Sequence, residues 1–306
     1  MVARPAGELP TGSRWAYEPK FDGARGIAVV VDGRARLQSR QLRPLTRCFP
    51  EVVAALEEYF GDVVLDGELV VAGPDGLDFA QLTRRIAGAR RGLVGEVGYV
   101  VFDALAAGGT DLRGYPYRVR RAVLEKLLEG VAPPLVLAPM TTSSAAARAW
   151  LTKHLEAGIE GVVAKRLDHA YAPGTRAWSK IRGRRSAEAI VGGVLGPIRS
   201  PVAAVLGRYD HAGRLRVVGR TSTIPRVARA ELGALLRPAG PWHPWPSVLA
   251  PSRFGDAGPV DYTRVEPTVV VELTVDSAVD VVGGRPVWRH PARLIRLRPE
   301  LRVADV

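Results

Sequence analysis

The sequence predicts an α+β protein in two parts: a mixed strand-and-helix domain over residues 1–185, then a small β-barrel over residues 186–306. Three observations carry this. The chain has 306 residues, which matches two domains of ~150 residues each. Its first part alternates β-like runs with segments of helical period. After Arg184-Arg185 the pattern changes to short apolar runs separated by turn residues, with a single helical segment.

Taken in order, residues 14–40 read as strand, turn, strand. GIAVVVDG and RARLQSR flank an Asp32-Gly33 turn, a pair suited to the positive φ angles of a two-residue hairpin. FPEVVAALEEYF (49–60) has apolar residues at helical spacing, and VVLDGELVVAG (63–73) is a strand with Asp66, Gly67 and Glu68 at its middle. LDFAQLTRRIA reads as a helix and VGYVVFDALAA (97–107) as a buried strand. YRVRRAVLEKLLEG and SSAAARAWLTKHLEAG are amphipathic helices, each closed by glycine. GIEGVVAKRL (158–167) and AWSKIRG (177–183) are strands. In the second part AEAIVGGVLG, VAAVLGRYD, LRVVGRTS, VVVELTVDSAV and RLIRLR are strands, and PRVARAELGALL is a helix. Five strands and one helix suit an OB-type barrel. A Pro-rich loop (238–259) lies within it, where Trp242 and Trp245 are expected to fill a small loop core.

Composition narrows the class. Apolar residues make up 47% and charged residues 24%, ordinary values for a soluble globular chain. No run approaches the ~18 apolar residues of a membrane span, and the N-terminus has no signal-like apolar run. Cys48 is the only cysteine, which excludes an intrachain disulfide and a thiolate zinc cluster. The five histidines (His154, His169, His211, His243, His290) show no metal-ligand spacing and are expected to be surface or structural. A soluble, cytoplasmic protein without membrane partners is the expectation.

Charge points to a polyanionic partner. The 43 basic residues outnumber 31 acidic ones, for a net +12. The excess is shared between the two parts, with no basic tail. Only five of the basic residues are lysine: Lys20, Lys126, Lys153, Lys165 and Lys180. Arginine stays protonated at any working pH, whereas a lysine amine can lose its proton and attack an electrophile.

EPKFDGAR (18–25) holds Lys20 between a proline and an aromatic residue, with Glu18, Asp22 and Arg25 around it. Taken alone, the octet suits a reactive lysine or a structural ion pair. Asp66 and Glu68 in mid-strand, and Glu160 five residues before Lys165, are costly to bury unless a cation meets them. Carboxylates on separate strands suit a Mg²⁺ held through oxygen, as phosphoryl chemistry requires, or are exposed edge-strand acids. Arg40, at the end of LQSR, and Lys180, near Trp178, suit phosphate or ribose contacts or a solvated face.

The ordered series EPKFDGAR, SRQ, LDGELV, YVVFDAL, EGVVAK and WSKIR, followed near the C-terminus by RHPARLIRLRPEL, resembles the motif series of covalent nucleotidyltransferases. Specifically, it is similar to that of ATP-dependent DNA ligases of the compact, two-domain C-type found in actinobacteria. The resemblance implies an adenylation domain of antiparallel sheets with flanking helices, then an OB-fold. It implies ATP and a Mg²⁺ or Mn²⁺ ion as cofactors, with AMP carried covalently on Lys20. Glu18 would lie in the adenine pocket, Arg25 and Arg40 near ribose and phosphates, and Phe102 on the adenine face. Glu68 would contact ribose or metal and Glu160 the metal. Lys165 and Lys180 would neutralise the α-phosphate, with Arg182 as a second basic residue and Arg176 as the upstream arginine. The implied partner is nicked duplex DNA in repair, with a repair polymerase or end-binding protein alongside. The enzyme would be a cytoplasmic, nucleoid-associated monomer. An RNA ligase or a capping-type guanylyltransferase is one alternative, and an inactive nucleic-acid-binding OB module another.

Two departures set further expectations. The family's C-terminal motif commonly ends Arg-x-Asp-Lys, whereas here it reads Arg298-Pro299-Glu300-Leu301. Arg289, Arg293 and Arg298 are therefore expected to serve pyrophosphate or DNA. Nineteen residues precede Lys20, so DNA contacts are expected from the two core domains by backbone charge. The arginines of TRRIAGARRG (83–92), Arg84 and Arg85 first, are the expected contact.

Overall fold

The computed structural model describes residues 1–73, 76–88, 95–153, 159–249, 260–276, 279–282 and 285–306. Outside the described residues lie His154, residues 89–92 of the arginine stretch, the end of the helix read over 143–158 and residues 250–259 of the Pro-rich loop. Two units make up the chain, Met1–Gly183 and Arg184–Val306.

In the first unit, Asp32 and Gly33 take φ of 50° and 68°, so the hairpin forms where the sequence places it. Short β1 (Ala3–Pro5) precedes β2 (Trp15–Phe21), and β3 (Ala24–Val31) pairs with β4 (Arg34–Ser39) across that turn. Helix α1 (Pro50–Tyr59) starts with proline in its first turn and buries Val52, Ala55 and Leu56. Strand β5 (Val63–Gly73) lies between β3 and β7 (Glu96–Ala107). Between them in sequence come β6 (Gly76–Leu77) and α2 (Phe79–Ile86), the latter capped by Asp78, whose carboxylate accepts from the Gln81 amide at 2.9 Å. Then follow β8 (Thr110–Asp111), α3 (Tyr117–Leu127), β9 (Leu135–Leu137), α4 (Ser144–Lys153), β10 (Ile159–Arg166) and β11 (Trp178–Arg182).

These strands form two sheets. One runs β4-β3-β5-β7-β8, with β6 on β5 and β9 on β7; the other runs β1-β11-β10-β2. Both are antiparallel except for the β7–β9 and β1–β11 pairs, which are parallel. The larger sheet's core packs Leu65 of β5 with Phe49 and Leu56 at α1, Leu82 of α2 and Leu124 of α3. The smaller sheet packs Tyr17, Val162 and Ile181 against Ala147 of α4. The chain passes from one sheet to the other between Phe21 and Ala24, so Lys20 stands at their seam.

The second unit is built on a five-stranded antiparallel sheet. Its strands are β12 (Arg184–Leu195), β13 (Ala203–Tyr209), β14 (Leu215–Arg220), β17 (Thr263–Asp276) and β20 (Arg293–Leu297), in the order β14-β13-β12-β17-β20. Helix α5 (Arg226–Leu235) adds Leu232 to the core on one face. Two ribbons, β15 (Val248–Leu249) with β16 (Val260–Asp261) and β18 (Val279–Val282) with β19 (Arg285–Trp288), complete it. The two loop tryptophans part company, correcting the expectation that both fill a loop core. Trp245 is 4% exposed, donates its Nε1–H to Leu215 O at 2.9 Å and fills the space left by Gly192 and Gly207. Trp242 is 94% exposed.

Candidate active site

A cleft of about 220 Å³ opens between the two sheets of the first unit. It is lined by Glu18 and Lys20 of β2, Lys165 of β10, Trp178 and Lys180 of β11, Arg25 of β3, Glu68 of β5, Phe102 of β7, and Arg40 just beyond β4. Period-two alternation explains the set: Glu18 and Lys20 share a face of their strand, as do Asp66 and Glu68, and Trp178 and Lys180. Arg182 continues the β11 face but does not line the cleft, and Arg176 is exposed on the segment before β11. The cleft's lining thus gathers most of the residues singled out in sequence; Arg176, Arg182 and Glu160 are not part of it, and Glu160 joins it through its pair with Lys20.

Its charges come in two tiers. The Lys20 ammonium donates to the Glu160 carboxylate in a direct, partly open ion pair, the side chains being 24% and 10% exposed. Lys20 faces Gly161 across the β2–β10 ladder, and a register shift at Glu160 brings that carboxylate to the lysine. Deeper, Lys165 Nζ lies 2.6 Å from Glu18 Oε2 and donates to Phe102 O at 3.1 Å. The rings of Trp178, Phe102 and Tyr117 surround it, with centroids 4.4, 4.5 and 4.9 Å from Nζ. Tyr117 OH donates to Glu18 Oε1. Burial pushes the Glu18 carboxyl up, opposed by Lys165, Tyr117 and Arg121.

Glu68 has no hydrogen-bond partner among the described residues. Burial pushes its carboxyl up to about 8, with Asp66 and Glu160 adding to the rise and Lys20 and Arg25 opposing it. Across the cleft, burial lowers the Lys180 ammonium, reinforced by Arg182 and Lys20. An acid held neutral opposite crowded cations is a site prepared for added charge of both signs: a cation beside Glu68 and an anion beside the lysines.

Arg25 is fixed rather than free. Nε and NH2 contact Asp66 Oδ1 and Oδ2 at 2.9 and 2.5 Å, NH2 reaches Tyr171 OH at 3.1 Å, and NH1 donates to Met1 O. Asp66 is fully buried and also accepts from Tyr171 OH at 2.9 Å. The guanidinium lies 5.1 Å from the Trp178 ring centroid and 5.6 Å from that of Phe102.

Sequence reasoning missed the support from α3. Tyr117, Arg120, Arg121 and Leu124 form its buried face. Arg120 meets Asp103 through two hydrogen bonds of 2.8 and 2.9 Å, and Arg121 lies beside Glu18. The i, i+3, i+4, i+7 spacing was visible, but it does not name the acids that meet the two arginines.

The remaining arginines differ in their engagement. Arg84 is exposed, whereas Arg85 bonds both oxygens of Glu51 at 2.5 and 2.7 Å and Cys48 O at 2.6 Å, joining α2 to α1. In the second unit, Arg298 meets Glu188 at 2.9 Å, Glu272 at 3.2 Å and Glu300 at 2.5 Å. Arg289 donates to Val279 O at 3.2 Å, and Arg293 is exposed.

Residues 8–182 match the family model of the ATP dependent DNA ligase domain. The chain is 33% identical to DNA ligase C2 of Mycolicibacterium smegmatis over 98% of this chain and 90% of that one. It is 34% identical to the multifunctional non-homologous end joining DNA repair protein LigD of Mycobacterium tuberculosis, over 85% of this chain and 34% of LigD. Among solved structures it resembles mycobacterial DNA ligase D complexed with ATP and MES, with a TM-score of 0.52 and 27% identity over all of this chain and 97% of that one.

Proposed function

The chain belongs to the ATP-dependent DNA ligases, and from that premise we propose that Lys20 is the nucleophile that carries AMP. The observation that carries the assignment is the placing of Lys20: a partly open ammonium at the seam of two sheets, paired with Glu160 and facing a cleft that holds two further lysines.

Three displacements at phosphorus make up the reaction. Lys20 Nζ, having given up a proton, attacks the α-phosphorus of ATP; a P–N bond forms, the α–β bridging P–O bond breaks and pyrophosphate leaves. An oxygen of a 5′-phosphate at a nick then attacks the same phosphorus and releases Lys20. Finally the 3′-hydroxyl attacks the adenylated 5′-phosphate, forming the phosphodiester and expelling AMP. Positioning and charge neutralisation govern each step. Phe102 offers a flat face for adenine. Lys165 and Lys180 meet the negative charge that builds on the α-phosphate, while Arg25 and Arg40 lie where ribose and phosphates enter.

Glu68 and Glu160 fit a Mg²⁺ or Mn²⁺ ion. They are hard oxygen donors, Glu68 lacks a hydrogen-bond partner among the described residues, and a site of two carboxylates completed by phosphate oxygens and water suits Mg²⁺. Such an ion supplies charge neutralisation at the phosphates.

The substrate in this reading is a nicked duplex with 3′-hydroxyl and 5′-phosphate ends, and the setting is bacterial DNA repair alongside end-binding proteins or a repair polymerase. The likeness to LigD supports that setting. The test is sealing of a singly nicked DNA duplex with ATP and Mg²⁺ or Mn²⁺, beside Lys20→Ala and with labelled ATP. Sealing and label in the parent, and neither in the variant, is expected. Label that persists in Lys20→Ala would overturn the assignment; label without sealing would move the acceptor to RNA.

A further inference from the structure

Arg121 is 4% exposed, and its NH1 has no hydrogen-bond partner among the described residues. Its Nε is satisfied by Glu125 one turn along α3, at 2.8 Å, yet NH1 is held 3.8 Å from Glu18 Oε1. A buried guanidinium nitrogen left without an acceptor is unfavourable in itself. It persists here beside a carboxylate that has lost its water and that already serves Lys165 and Tyr117. Two buried cations, Lys165 and Arg121, thus flank Glu18, and Arg121 has the half-exposed Glu125 as a second acid.

The ammonium of Lys165 has three N–H groups. One faces Glu18 and one Phe102 O, its two acceptors among the described residues. The third remains for an acceptor in the cleft that Lys165 lines. Its aim depends on Glu18, and Glu18 is set by Tyr117 and Arg121.

We propose that Tyr117 and Arg121 of α3 are positioning residues for nucleotide transfer, acting through Glu18 to orient the Lys165 ammonium and leave one of its N–H groups for the nucleotide phosphate. This rests on the roles given above to Lys20 and Lys165. Removing the Tyr117 hydroxyl leaves one Glu18 oxygen without its donor and lets the carboxylate turn. Removing the Arg121 charge takes away one of the two cations beside Glu18 and leaves the carboxylate positioned by Lys165 and Tyr117 alone.

The test uses the 306-residue chain with Tyr117→Phe, Arg121→Gln and Arg121→Lys, reading the single-turnover rate of AMP transfer to the protein, its dependence on ATP concentration, and the thermal midpoint. Tyr117→Phe and Arg121→Gln are expected to lower the rate at saturating ATP by about 10- to 100-fold, as a small misplacement does. The ATP concentration for half-maximal rate should change far less. Arg121→Lys, which keeps the charge, should recover most of the rate lost in Arg121→Gln. Parent rates in both Tyr117→Phe and Arg121→Gln would overturn the proposal, as would equal rates in the two Arg121 variants. Losses that follow the thermal midpoint and vanish on cooling would also overturn it, since the residues would then serve only the fold. Labelling of the parent at Lys20 in the same experiment separates failure of this proposal from failure of the reading beneath it.

Discussion

The Lys20 ammonium and the Glu160 carboxylate meet directly across the β2–β10 ladder, with both side chains still reaching solvent. The other lysine–glutamate pair of the cleft, Lys165 with Glu18, is sealed, at 1% and 4% side-chain exposure. The first pair is open to exchange with an incoming charge, and the second is part of the wall.

The two pairs should therefore respond differently to loss of their acid. The Lys20 end of the first pair can regain water, so Glu160→Gln should lower the denaturant midpoint less than Glu18→Gln does, while slowing AMP transfer by about 10²-fold or more. Glu18→Gln strands a buried ammonium and should cost about 3–5 kcal/mol of stability. Urea unfolding and labelling rates on the same samples check both; equal stability losses would show that exposure does not separate the pairs.

Glu68 gives the fold a pH dependence of definite sign. Its carboxyl ionises near 4.5 in the unfolded chain and at about 8 in the folded one. Between those values the folded state holds a proton that the unfolded state has released, so this group's contribution to stability is greatest below 4.5 and declines as pH rises to 8. Glu68→Gln keeps the neutral form and should unfold at a higher temperature than the parent above pH 8, with no advantage below pH 4.5. Mg²⁺ should narrow the difference at high pH by stabilising the ionised parent. Parallel melting curves against pH for the two proteins would sink this account.

The glycines of the motifs are required by close approach. A Cβ on Gly23 would come within 2.5 Å of Leu69 O and 2.6 Å of Glu68 Cγ. Gly67 has Tyr99 Cε2 at 2.6 Å and Val100 O at 2.8 Å from the same virtual atom. Neither residue has a positive φ, so the cost of a side chain is steric rather than conformational. Gly23→Ala must push Glu68 or β5 aside, and should weaken Mg²⁺ dependence and AMP transfer together. Gly33→Ala, with no neighbour within 4 Å but φ at 68°, should lower stability and leave transfer intact. Measuring both properties in both variants separates the two uses of glycine.

The fold was legible where period and turn chemistry agree. The strand over 63–73, the Asp32-Gly33 hairpin and the amphipathic period of α1 follow from local rules, and each forms where expected. Short pairings such as β1 with β11 and β9 with β7 were not legible, because three-residue strands take their place from a distant partner. The β18–β19 ribbon was missed although a Gly-Gly pair separates its strands, a turn signal that stands in the sequence. In the cleft, the lysines and glutamates could be named by order and spacing. Their supports could not: Arg120 and Arg121 are buried because Asp103 and Glu18, far off in sequence, arrive to meet them. Charge on a helix face tells of water only until a partner of opposite sign is found.

The two tryptophans of the Pro-rich loop make a final comparison within one segment. Trp245 is packed against Gly192 and Gly207, where a Cβ on either glycine would lie 2.5 Å from its ring, and its indole N–H has a backbone acceptor. Trp245→Ala removes a large buried ring and leaves a cavity over β12 and β13, at a cost of about 3–5 kcal/mol. Trp242, three residues earlier, is 94% exposed, and a surface substitution away from special features changes stability by about 0.5 kcal/mol or less. Urea unfolding of Trp245→Ala and Trp242→Ala should therefore give widely separated midpoints, the second close to the parent. A large loss in Trp242→Ala would mean that the ring is covered in solution.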